Sequence, residues 1–189
     1  MAPTPGGRHL YVVRMYSPIP ELNELKDLYD SADSFLAAGF EIYGYNDKGS
    51  FIAVDQTEPE FLDRLIPIAQ ANGSGSEYVI WRVDDREDLA ALPIAVFGDE
   101  GGEHIIARNF GELLRLLAYD AEIMAMYDEA YFYRQDDDEH SGSHDIFVKW
   151  LRERHGLESA DDPGAIVKAA QDEFGDRFRT WITPFVGTD

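Results

Sequence analysis

The sequence predicts an α+β domain, an antiparallel sheet with flanking helices and a helical C-terminal third. Three observations predict it. Strand-like runs follow one another through tight, glycine-bearing turns, which suits antiparallel pairing and not the long crossovers of a parallel sheet. Helix signals flank that strand-rich body on both sides. After residue 119 the chain becomes rich in Met, aromatic and helix-capping residues.

Taken in order, residues 1–7 are a Pro/Gly tail and residues 9–16 (HLYVVRMY) a strand. Residues 21–38 place Leu22, Leu25, Leu28, Tyr29, Ala32, Phe35 and Leu36 at helical spacing before Gly39. Residues 40–46 and 50–55 then flank Asp47, Lys48 and Gly49, the pattern of a hairpin. Residues 59–71 form a short helix or turn, interrupted by Pro67. A turn at residues 72–76 (NGSGS) leads to a strand at 77–83, an acidic loop at 84–88 and a buried strand at 93–97. The turn at 98–102 (GDEGG) returns the chain as a strand at 104–107. Asn109 caps a helix, with Glu112 at its third position and Phe110, Leu113, Leu114 and Leu117 as its apolar stripe. Residues 119–133 read as helical, 134–142 as an acidic loop, and 143–155 as a helix stopped by Gly156. Asp162 followed by Pro163 opens a last helix through Phe174, with Gly175 after it. No repeat or linker divides the chain, so residues 1–189 are one domain, with 119–189 a helical extension packed on the core.

Composition narrows the function. Hydrophobic residues make up 44% and aromatics 13% of 189 residues, enough to bury a core. The chain has no cysteine, which removes disulfides, thiolate metal sites and cysteine nucleophiles. The N-terminus has no basic segment before an apolar run, and no apolar stretch approaches the ~20 residues of a membrane span, so a cytoplasmic location is expected. Sixteen Lys+Arg against 37 Asp+Glu leave a net charge of −21. Such a field repels nucleic acid and anionic membranes. It suits either an encounter with a basic protein or simple solubility.

Motifs for chemistry are scarce. Gly73 and Gly75 lead into a strand, without the lysine of a phosphate-binding loop, and the spacing of a nucleophile elbow is missing. His140 and His144 lie four apart, beside Glu139 and Asp145, and could hold a metal if they shared a helix face. Gly142 between them favours an exposed loop instead. Asp136, Asp137 and Asp138 lack the alternation and glycine of a calcium loop. No cofactor or metal is therefore expected, and no catalytic residue. Asp99 and Glu100 stand on a tight turn at a strand end, a position functional residues often occupy, though turn chemistry alone explains them. Tyr11, Tyr16, Tyr43, Tyr45, Tyr78 and Trp81 lie on expected strands. Either some face outward as anchors of a protein-binding surface, or helices cover both faces of the sheet. The first alternative assigns a partner surface to Tyr78, Trp81, Asp84, Asp85, Glu87, Asp99 and Glu100.

Over residues 59–118 the ordered string Phe61-Leu62, Pro67-Ile68-Ala69, Asn72-Gly73-Ser74-Gly75-Ser76, Tyr78, Ile80-Trp81, Leu92 through Gly102 and Ile106 through Leu114 resembles the SUKH superfamily. That superfamily includes the yeast cell-wall-synthesis regulator and many bacterial relatives. The resemblance implies a curved antiparallel sheet with flanking helices and a non-enzymatic role. Many bacterial relatives are thought to be cytoplasmic immunity proteins that bind and neutralise a toxin, often one acting on nucleic acid. No site residue carries over. A regulatory or scaffold protein with several partners is the second reading, and a metal-assisted enzyme using His140 and His144 the third.

Overall fold

The computed structural model describes residues 15–48, 58–135 and 137–186. The strand expected at 9–16 falls almost entirely outside them, as does the returning hairpin strand at 50–55. The architecture is α+β, as the sequence predicts.

Five antiparallel strands form a meander in chain order: β1 (Glu41–Ile42), β2 (Leu65–Gln70), β3 (Glu77–Trp81), β4 (Ile94–Phe97) and β5 (Glu103–Ala107). The segment at 59–71 corrects the expected helix or turn. Only α2 (Pro59–Leu62) is helical, and β2 follows it as a full strand despite Pro67. Proline is tolerated because the β2–β3 register shifts between Pro67 and Ala69, a bulge that needs no ladder donor there.

Alternation along β3 sends its side chains to opposite faces, and both faces are covered. Tyr78 packs toward Phe40, which in turn meets Tyr29 of α1 (Pro20–Ser31). Trp81 faces the other way, into an aromatic cluster with Phe61, Phe178 and Trp181. The latter two belong to the C-terminal helical run. That run comprises α5 (Pro163–Ala170), a widened π-type turn (Gln171–Gly175) and α6 (Asp176–Val186). Asp162 caps α5 by accepting from Ala165 N–H, as expected. The run does not stop at Gly175, because the apolar face of Phe178, Trp181 and Ile182 stabilises continuation against the sheet.

The capped helix α3 (Phe110–Leu117) also stands where the sequence places it. Asn109 Oδ1 accepts from Glu112 N–H at 2.9 Å, while Glu112 Oε2 accepts from Arg108 N–H at 2.8 Å. A shorter helix, α4 (His144–Trp150), runs through a π-type turn to Gly156, whose φ of 64° ends it.

One expectation fails outright. Residues 119–133 are not helical but form a second sheet, the hairpin β6 (Glu122–Ala125) and β7 (Ala130–Tyr133). Ile123, Phe132, Ala125 and Ala130 form one face and Glu122, Met124, Tyr131 and Tyr133 the other. The period is two, not 3.6. The signal was hidden because large apolar residues occupy both faces.

Candidate functional site

The residues singled out in the sequence are dispersed by the fold. Tyr78 and Trp81 are 1% and 2% exposed. As core residues on opposite sheet faces they cannot anchor a partner, which corrects that assignment. Of the acidic loop, Asp85 and Glu87 are exposed and Asp84 partly so. Much of its charge is engaged: Asp84 Oδ1 lies 2.7 Å from Arg86 Nε, and Asp85 pairs with Arg64 at 2.9 Å. The Arg86 hydrogen bond holds the Asp84 carboxyl at about 2. Asp99 is a turn-former. Its Oδ1 accepts from Ser74 Oγ at 2.9 Å and Ser76 Oγ at 2.7 Å, tying the turn at 72–76 to the turn at 98–102. Burial pushes its carboxyl up, but these hydroxyls outweigh it and the net direction is down. Glu100 beside it is exposed.

The histidine pair acquires a partner that sequence spacing did not reveal. Asp120, twenty residues before His140, brings a donor atom within 4.8 Å of one from each of His140 and His144. Glu139 and Asp145 are exposed and take no part in this group. Asp120 has a φ of 58°, a left-handed conformation that Asp tolerates, and its side chain is 1% exposed. Its Oδ1 accepts from Ala38 N–H at 2.8 Å and Ser141 Oγ at 2.6 Å. Its Oδ2 accepts from Ser141 N–H at 2.7 Å and His140 Nδ1 at 2.9 Å. Burial raises this carboxyl, yet the Ser141 and His140 bonds bring it below the usual range. His144 Nε2 donates to Ala118 O at 2.9 Å. The two imidazoles are stacked, 4.2 Å apart and 3° from parallel. Lone pairs lie in the ring plane, so parallel rings hold theirs side by side instead of converging on one ion. With four donors already on Asp120, the group is a clasp between residues 38, 120 and 140–141.

The surface that sequence reasoning missed is the outer face of the β6–β7 hairpin. Met124 lies opposite Tyr131, and Glu122 opposite Tyr133. Met124, Met126, Tyr127, Tyr131 and Tyr133 are all exposed large apolar side chains, Tyr127 at 74%. The hairpin is fixed to the main sheet at both ends. Asn72 Nδ2 donates to Ile123 O at 2.9 Å, and His104 Nε2 donates to Met126 O at 2.6 Å. Its tip lies across Gly101 and Gly102, with φ of 101° and 92°, where a Cβ would overlap Tyr127 or the Met126 carbonyl. Around this face stand Glu100, Glu122, Asp128 and Glu129, all exposed. Among the described residues none of these four forms an ion pair. The sequence marks this hairpin only by the polar break Asp128-Glu129 between two short apolar-rich runs.

Compared with known proteins, the chain matches no family model, no curated sequence and no solved structure. No helix among the described residues is long and apolar enough to cross a membrane.

Proposed function

We propose that this chain is a non-catalytic protein-binding domain of the immunity type, which binds and neutralises a basic toxin domain acting on nucleic acid. The observation that carries the reading is the outer face of the β6–β7 hairpin. Its Met and Tyr side chains stand exposed near Glu100, Glu122, Asp128 and Glu129, which form no ion pair among the described residues, on a chain of net charge −21. Tyrosine and methionine surrounded by charge is the composition of a protein interface rather than of a substrate pocket. The resemblance of residues 59–118 to the SUKH superfamily supports the immunity class, and an α+β sheet accords with it. A toxin that grips polyphosphate needs a basic face, and an acidic cover competes for that face.

The test starts from the gene's neighbourhood: a toxin domain encoded there is produced, its binding to the full chain is measured, and titration calorimetry follows across salt. The expected outcome is inhibition of the toxin in equal proportion and an affinity that falls steeply between low and physiological salt. Binding that ignores salt, or no inhibition at saturation, would reject the reading.

A further inference from the structure

Beside the tip of the hairpin a cleft of about 350 Å³ opens between Tyr127 and Asp128 on one side and α6 on the other. Phe178, Ile182 and Val186 supply apolar wall, and Glu103 of β5 lines it as well. Arg179, also at the wall, pairs with Asp176 at 3.2 Å, and both side chains are exposed to solvent. Glu103 has no ion-pair partner among the described residues. Tyr127 belongs to both, lining the cleft and standing exposed at the tip of the hairpin.

Resting on the protein-binding reading above, we infer that this hairpin face and the cleft at its tip form one docking surface for a basic protein, a lysine or arginine of which enters the cleft toward Glu103 and Asp128. Three features select this occupant. The apolar wall matches the aliphatic stem of a long cationic side chain, and the carboxylates match its head. Tyr127, exposed at the opening, supplies an aromatic surface over which a guanidinium or ammonium is favourable. A second copy of the chain is excluded as the favoured occupant, since each copy would bring a further −21 to the contact. Burial also pushes the Glu103 carboxyl up, a desolvation cost that an arriving cation offsets.

The experiment is selection of looped random peptides, displayed on phage, against the full chain at low salt. Individual peptides are then measured against variants. Enrichment of peptides that combine Lys or Arg with an aromatic residue is expected. Their affinity should drop about tenfold or more with Tyr131→Ser and with Glu103→Gln, and remain unchanged with Glu87→Gln in the acidic loop. Met124→Ser serves as a second hairpin variant, and circular dichroism melts establish that each variant is folded. If basic peptides are enriched but bind Tyr131→Ser and Met124→Ser as well as the parent, the docking surface is wrong while the protein-binding reading stands. If no basic peptide is enriched, both fall together.

Discussion

Asp120 shows how one side chain can hold three distant segments. Its replacement by Ala would strip acceptors from Ala38 N–H, Ser141 N–H and Ser141 Oγ, all part-buried. A loss of about 3 kcal/mol is expected, measured by urea denaturation. The sign with pH follows from its lowered carboxyl. Its contribution is present above the unfolded carboxyl's range, near about 4, and is lost as pH falls through the lower folded value. Asp120→Asn should therefore lie below the parent at neutral pH and approach it in acid. Glu103 runs the other way. Burial raises its carboxyl, so its folded form is favoured at low pH, and this advantage disappears as pH rises through the raised value. Glu103→Gln should raise the melting temperature at pH 7, with the gain vanishing in acid; a constant gain at every pH would contradict the assignment. The clasp reading of Asp120, His140 and His144 predicts that adding Zn²⁺ leaves the melting temperature unchanged, whereas a rise would mark a metal site.

At the scale of elements, the hairpin depends on two glycines of another turn. Gly102→Ala places a Cβ against the Met126 carbonyl at a φ of 92° and should cost about 1–3 kcal/mol from backbone strain alone. Hydrogen exchange should show the loss concentrated in β6 and β7, since His104 and Gly102 hold that end. Elements with a local cause were legible in the sequence. The Asn109 and Asp162 caps, the Gly156 stop and strands β3 to β5 all follow from neighbouring residues. The β6–β7 hairpin was not, because Met124, Tyr131 and Tyr133 put apolar bulk on a face that a structural hairpin would make polar. Local rules fail most often where a surface has another use. The Asp120 clasp was invisible for a different reason: nothing at position 120 announces a partner at 140.

For the whole molecule the charge of −21 matters before any partner arrives. Like charges repel in the compact state, and salt screens them, the Debye length falling from about 30 Å at 0.01 M to about 8 Å at 0.15 M. The melting temperature of the free chain should therefore rise over that interval, by differential scanning calorimetry. Salt then stabilises the domain while weakening the proposed complex, and this opposition separates self-repulsion from attraction to a partner. The sequence gives the sign and size of the charge. Where it is already neutralised is a local matter at Asp84, whose partner Arg86 stands two residues on, but at Asp85 it depends on Arg64, which only folding brings alongside.

The aromatic cluster that joins the sheet to α6 has an optical consequence. Trp81 and Trp181 lie 5.6 Å apart, with Phe61 stacked on Trp181 at 5.8 Å, whereas Trp150 packs beside Phe147 and His155. Two indoles so close, Trp81 buried and Trp181 partly so, couple as excited states, and they separate only when α6 leaves the sheet. With Trp150→Phe, the remaining fluorescence becomes a reporter of one event, the undocking of the C-terminal helix. That event can then be timed apart from global unfolding, which circular dichroism follows.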